Sequence, residues 1–308
     1  MKRQRFFQNA GYVALFGILG TIICFLVNAV CAYYLSAWGV IKDIHGNEIA
    51  FTLKDVMLFG SVLSASDTVA AISVISEEEA PVMRGILLGE GVINDAVAII
   101  LFQSALRLNL DTLSASSAGT YLLDIGYICI SSILVGLIFG LISAAMTRKF
   151  REFNHHPPTE VAMLFFLGYL GYMVSFALEF SGVISILTTA IMMGHYTWYN
   201  ISEEARAVSR SVFHIVGEII EAFIFVYIGL CSYEYYQHFT GYLFMLESSL
   251  MVMFARFSGI VLFPGLLKLV MKRFKLRWME LVTIWFAGSI RGAIAFALIL
   301  TVEDSANK

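Results

Sequence analysis

Charge is what this chain has least of. Asp, Glu, Lys and Arg make up 14% of its 308 residues, whereas soluble domains carry about 25%. No linker, low-complexity tract or stretch of soluble-domain composition interrupts it. The four cysteines, Cys24, Cys31, Cys129 and Cys231, lie in or at the ends of apolar runs, without disulfide or metal-ligand spacing. They are read as small buried thiols. The basic residues are scattered with no base-stacking module, so nucleic acid is not an expected partner. A secretory signal is not expected either, because the chain starts with charge and soon enters a long apolar run.

What is abundant is apolar side chain. Hydrophobic residues make up 59% of the chain, and the mean hydropathy is +0.79. The composition predicts an all-α polytopic membrane protein. Nine apolar segments are expected to span: 11–34, 55–76, 84–106, 121–146, 161–179, 182–198, 212–231, 240–270 and 278–300. Each is close to the roughly 20 residues needed to cross the hydrocarbon core. The fifth and sixth touch at Ser181-Gly182 and can form one hairpin. The second is weakened by Ser61, Ser64, Ser66, Asp67 and Thr68. With these spans alternating, one side collects Lys2, Arg3, Arg5, Arg84, Arg148, Lys149, Arg151, Arg206, Arg210, Lys272, Arg273, Lys275 and Arg277. The other side holds only Lys42, Lys54, Arg107 and Lys308. The positive-inside rule makes the first side cytosolic.

Polar groups inside spans carry the functional signal. The third segment places Glu90, Asn94 and Asp95 near the middle of an apolar helix. A carboxylate in lipid costs about 2.5–3.5 kcal/mol on insertion scales and needs a partner, a proton or a cation. Its default reading is a transport or proton-relay site; the alternative is a helix–helix hydrogen bond that serves packing. Glu90 and Asn94 share one face, and Asp95 points about 100° away. Glu90 therefore has a helix face for a cation while Asp95 faces a cavity. Arg256, Lys268 and Arg291 lie within spans, and Arg256 and Arg291 are the cations available to Glu90. Arg256 can otherwise snorkel, and Arg291 can otherwise pair with Glu280.

In the second segment Asp67 is flanked by small hydroxyl residues. That composition suits a helix broken at the midplane, with carbonyls and half-helix ends meeting ions. A continuous helix with a small-residue packing face is the alternative. Glu218 and Glu221 lie one turn apart in the seventh segment. His195 and His214 are read as interfacial, Glu77-Glu78-Glu79 as a solvated turn, and His155-His-Pro-Pro158 shows no metal spacing.

Several motifs, taken together and in order, resemble the sodium/proton exchanger family, the type 1 cation/proton antiporters. Gly60-Ser-Val-Leu-Ser-Ala-Ser-Asp-Thr-Val69 is similar to that family's first crossover segment, with Ser66-Asp67-Thr68 in place of Thr-Asp-Pro. Gly89-Glu-Gly-Val-Ile-Asn-Asp-Ala-Val97 resembles its ion-binding helix, and Gly288-Ser-Ile-Arg-Gly-Ala-Ile-Ala-Phe-Ala297 its second crossover helix. Ser181-Gly-Val-Ile-Ser185, Gly194-His-Tyr-Thr-Trp-Tyr-Asn-Ile-Ser202 and Phe223-Ile-Phe-Val-Tyr-Ile-Gly-Leu230 resemble the organellar branch.

The resemblance implies an inverted-repeat antiporter fold with two crossover helices, shortened at both ends. It implies an ion-binding core at 1–107 and 240–308, and a scaffold and dimer-side part at 108–239. Asp95 would carry the proton or the Na⁺ or K⁺ ion. Asn94 would stand where a second titrating acid could be, the mark of electroneutral exchange. Asp67 and Ser66 would line the cation site at the crossover, so the transient metal contacts would be Asp95 and Asp67. Glu90 would pair with Arg256, Arg291 would offset charge at the second crossover, and Glu221 would lie near the ion path or an inhibitor-binding face. No cofactor is expected and no enzymatic step. The expected partners are Na⁺ or K⁺, H⁺, the lipid bilayer and a second copy in a homodimer. The expected location is an endosomal or vacuolar membrane rather than the plasma membrane. Two rivals are a transport-incompetent partner of a longer exchanger and an intramembrane aspartyl protease. The protease needs two carboxylates sharing a proton, and Gly91-Val-Ile-Asn-Asp95 lacks the Gly-x-Gly-Asp context expected there.

Overall fold

The structure is a computed structural model that describes residues 9–39, 51–67, 72, 75, 80–107, 115–149, 156–236, 242–270 and 276–306. Thr68 and Val69 of the first crossover motif, the Glu77–Glu79 turn and His155 lie outside these residues. So do Lys2, Arg3, Arg5, Lys42, Arg151, Lys272, Arg273, Lys275 and Lys308. Every regular element among the described residues is helical, and six helices are long and apolar enough to cross a membrane. The protein is an all-α polytopic membrane protein.

The six are α1 (Ala10–Ala37), α3 (Pro81–Arg107), α4 (Ala115–Lys149), α5 (Pro157–Ala177), α7 (Glu203–Tyr236) and α8, which runs from Tyr242–Phe257 through a π turn at Ser258–Leu262 into Phe263–Val270. Shorter pieces complete the set: α2 (Leu53–Val62), α6 (Gly182–Met192, prolonged by a π turn at Met193–Thr197 and by Trp198–Asn200), α9 (Trp278–Ala287) and α10 (Ala293–Ala306). The seventh expected span is longer than its apolar run. Glu203–Ser211 adds polar turns to its start, which hydropathy alone leaves out.

Local chemistry sets the ends. Thr52 and Asp55 cap α2 reciprocally: the Asp55 N–H donates to Thr52 Oγ1 at 3.3 Å and the Thr52 N–H to Asp55 Oδ2 at 2.9 Å. Prolines open α5 at its first turn, where a missing N–H costs nothing. The expected hairpin is present. α5 ends at Leu178–Phe180, with Glu179 in the left-handed region at φ 59°, and α6 starts at Gly182.

The chain divides into two compact units, Met1–Leu113 with Ile228–Lys308, and Ser114–Tyr227. In the second unit α6 packs against both α4 and α5. Hydroxyls bind the helices: Thr189 Oγ1 donates to the Gly136 carbonyl at 3.1 Å and Ser185 Oγ to the Gly171 carbonyl at 3.0 Å. Small residues and hydroxyls of this kind replace the hydrophobic effect as the force between helices in lipid. In the first unit α1 packs on α2, α3 and α8, and α10 on α2 and α3. Phe16, Ile86, Leu87, Ile260, Leu281 and Ile284 make an apolar cluster there.

Candidate ion-binding site

The second and ninth apolar segments are not continuous helices. α2 stops at Val62, turns at Leu63 and Ser64, and continues without helical structure through Ala65, Ser66 and Asp67. α9 stops at Ala287, and α10 does not start until Ala293. A helix end leaves carbonyl and N–H groups without partners, and lipid offers none. Each break supplies the other's. The Asp67 N–H donates to the Ile290 carbonyl at 2.8 Å, and Arg291 Nη1 donates to the Ala65 carbonyl. Hydroxyls serve the last turn of α2, where Ser61 Oγ donates to the Leu58 carbonyl and Ser64 Oγ to the Ser61 carbonyl, each at 2.7 Å. The continuous-helix alternative for the second segment is therefore not what forms.

α3 passes this crossing and presents Glu90 and Asn94, both fully buried. Glu90 Oε1 lies 2.8 Å from Arg256 Nη2, with both side chains 1% exposed. Arg256 does not snorkel; it is held in the core. Asn94 binds the same arginine. In the amide orientation that satisfies both ends, its nitrogen donates to the Ser64 carbonyl at 3.1 Å and to Thr21 Oγ1 at 3.0 Å. Its oxygen accepts from Arg256 Nη1 at 3.2 Å and from Ser66 Oγ at 2.6 Å. Thr21 passes its own proton to the Gly17 carbonyl at 2.7 Å. One side chain thus ties α3 to α1, to the first break and, through Arg256, to α8.

Asp95 follows Asn94 but points elsewhere. Its Oδ1 is buried and has no hydrogen-bond partner among the described residues. A carboxyl oxygen buried in a membrane bundle without a partner suits a group that takes up a proton or a monovalent cation.

Asn94, Ser66, Glu90 and Arg256 are joined in one network, and Asp67 and Arg291 lie at the crossing beside it. Arg291 does not pair with Glu280, which instead accepts the Arg277 N–H at 2.8 Å at the start of α9. Glu221 lies on α7, in the part that belongs to the second unit. Sequence reasoning expected the backbone around Ser66 at the site but missed Thr21 and the Ile290 carbonyl. Backbone groups carry no hydropathy signal, and a lone Thr in an apolar run is unremarkable. It also missed Glu160, 1% exposed, which accepts from the Ser202 N–H at 3.0 Å and from Ser202 Oγ at 2.9 Å at the start of α7. Among the described residues no group of three or more His, Cys, Asp or Glu is placed to hold a resident metal ion.

Broken helices that meet inside a membrane bundle are a recurrent build of the class of secondary transporters. Within that class the chain belongs to the sodium/hydrogen exchanger family: the family described as "Sodium/hydrogen exchanger, transmembrane" matches residues 1–308. The chain is similar to Sodium/hydrogen exchanger 1 of Oryza sativa subsp. japonica, 30% identical over 307 residues that cover 97% of this chain and 56% of that protein. It is similar to Sodium/hydrogen exchanger 1 of Arabidopsis thaliana, 30% identical with 97% and 56% covered. Sodium/hydrogen exchanger 9 of Homo sapiens is 30% identical over 317 residues, covering 100% of this chain and 48% of that protein. The chain spans about half the length of the curated relatives it matches.

Proposed function

We propose that this chain exchanges a monovalent cation, Na⁺ or K⁺, for H⁺ by alternating access, with Asp95 as the shared carrier. The observation that carries the reading is Asp95 itself. Its Oδ1 is buried and has no hydrogen-bond partner among the described residues. A proton and a cation compete for that one carboxylate, so either load leaves the site neutral and the exchange is electroneutral. Asp67 and Ser66 line the cation's position at the crossing, Glu90 with Arg256 holds α3 to α8, and Arg291 offsets charge at the second break. Glu221, outside the network, is assigned to a surface of the ion path. The first unit is the moving core in this reading, and the second is scaffold and part of a homodimer contact. The two breaks belong to inverted repeats. The motifs that resemble the organellar branch favour an endosomal or vacuolar membrane.

The test is purified chain in liposomes with an internal pH dye and an imposed Na⁺ or K⁺ jump. Native chain should move protons against the cation, and Asp95→Asn should insert equally well but lose the flux. Flux at the native rate from Asp95→Asn ends the carrier assignment. A second reading is a transport-incompetent partner of a longer exchanger. Absence of flux from native chain, restored by co-reconstitution with a longer exchanger, selects that reading.

A further inference from the structure

Arg84 has no part in the exchange described above. It lies in the first turn of α3, after Pro81, and is half-buried. Its Nη1 donates to the Ile75 carbonyl at 2.6 Å and to the Ile72 carbonyl at 3.3 Å. Both carbonyls belong to the chain beyond the first break, and the Ile75 N–H donates back to the Ile72 carbonyl at 3.2 Å. The Ile75 side chain is 8% exposed, in the apolar cluster that includes Ile86 and Leu87 of α3. A basic residue that only marks the cytosolic side extends its charge into water. Arg84 instead puts its charge onto backbone, and a charge-assisted hydrogen bond is about twice as strong as a neutral one.

Asp67 therefore lies between two attachments to one helix. Before the break, Asn94 of α3 donates to the Ser64 carbonyl and accepts from Ser66 Oγ. After it, Arg84 of α3 holds the Ile72 and Ile75 carbonyls. Arg84 and Asp95 are separated by about three helical turns, so they share a face of α3, roughly 16 Å apart along the axis. One rod thus sets the course of the chain on both sides of Asp67 and also bears Asp95. A site residue keeps its geometry only as far as the groups behind it are fixed.

We propose that Arg84 is a positioning residue for cation binding: by gripping the Ile72 and Ile75 carbonyls it keeps Asp67 in place for the ion that Asp95 takes up. The grip stands on the hydrogen bonds; its effect on the ion rests on the transport reading above. Charge alone would act in the opposite direction. A fixed positive charge on the Asp95 face repels a cation, so removing it tightens binding if only the field matters. Loss of position weakens binding, and the sign of the change separates the two.

The grip is tested first, without any ion, by amide hydrogen exchange in detergent. In Arg84→Met the Ile75 N–H, bonded to the Ile72 carbonyl, and the Asp67 N–H, bonded to the Ile290 carbonyl, should exchange at least about tenfold faster than in the unaltered protein. Exchange at the native rate overturns the proposal. Na⁺ binding is then read as the rise in melting temperature when NaCl replaces choline chloride at constant ionic strength. Arg84→Met should raise the Na⁺ concentration at half of that rise about threefold or more. Arg84→Lys, whose ammonium still donates to the carbonyls, should stay within about twofold of native. In liposomes the same split should appear as a raised KM for Na⁺ with kcat little changed. A native midpoint in Arg84→Met, with only a lower melting temperature in choline, makes Arg84 a stabilising contact and refutes the positioning role alone. A lowered midpoint refutes it too, in favour of a pure charge effect. No Na⁺-dependent rise in the unaltered protein refutes the cation reading, and the positioning role falls with it. Where Arg84→Met does not fold, Arg84→Gln, uncharged and shorter in reach, is measured in its place with the same expectations.

Discussion

Two side chains carry most of the order around the site, Arg256 and Asn94. Arg256 is wholly buried and meets Glu90 at 2.8 Å. Removing one partner of a buried pair leaves the other charge uncompensated, at about 3–5 kcal/mol, whereas apolar replacement of both is often near neutral. Glu90→Gln and Arg256→Met should each lower the melting temperature and folded yield, and the double substitution should recover part of the loss. Simple addition of the two effects would show that the residues do not act as a pair. Asn94 makes a different demand. Its nitrogen donates to the Ser64 carbonyl and to Thr21, and a carboxylate there has nothing to donate. Asn94→Asp should therefore destabilise the protein by about 1–3 kcal/mol for each group left unsatisfied, read as a lowered melting temperature in detergent. A native melting temperature would mean that the amide's donor role is dispensable.

At the scale of elements the two broken helices depend on small residues where they approach the charges. A Cβ built at Gly292 would lie 2.6 Å from Asp67 Oδ2, and one at Gly288 would meet the Arg256 guanidinium. Gly292→Ala should push Asp67 off its place and weaken cation binding at the crossing, raising KM for Na⁺ more than it lowers the melting temperature. A native KM would place Asp67 outside the cation site. How far this was legible in sequence follows from what each element is made of. Long apolar helices such as α3 and α5 announce themselves, and so do Glu90, Asn94, Asp95, Arg256 and Arg291, because each is conspicuous among apolar neighbours. The hydroxyl-rich run around Asp67 carried the first break. The second break, Gly288–Gly292, is nearly all small or apolar, and only its resemblance to a known motif marked it. The mutual pairing of the breaks was invisible, since it runs through the Ala65 and Ile290 carbonyls. The π turns at Leu15–Gly20 and Ser258–Leu262 have no signature in hydrophobic period either, because one extra residue per turn barely disturbs an all-apolar pattern.

For the whole molecule the decisive quantity is the net charge that moves in one cycle. Asn94 is committed to hydrogen bonds that a second acid could not make. In the proposed exchange one proton or one monovalent cation neutralises the single charge of Asp95, so the loaded core would cross neutral in both directions. Two adjacent titrating acids would instead carry two protons against one cation and move charge. Asp67 is where the reading is exposed to failure. Its N–H is held by the Ile290 carbonyl, and its carboxylate sits against the second break, near Arg291, which donates across to Ala65. If Asp95 is the sole carrier, flux in liposomes with the membrane potential clamped at several values should not vary with voltage, and the end-point pH should follow the cation gradient alone. An end-point that shifts with voltage by about 2.3 kcal/mol per charge per 100 mV would show that net charge moves. It would make Asp67 a second carrier, and Asp67→Asn should then abolish the voltage dependence while leaving Asp95-dependent exchange in place.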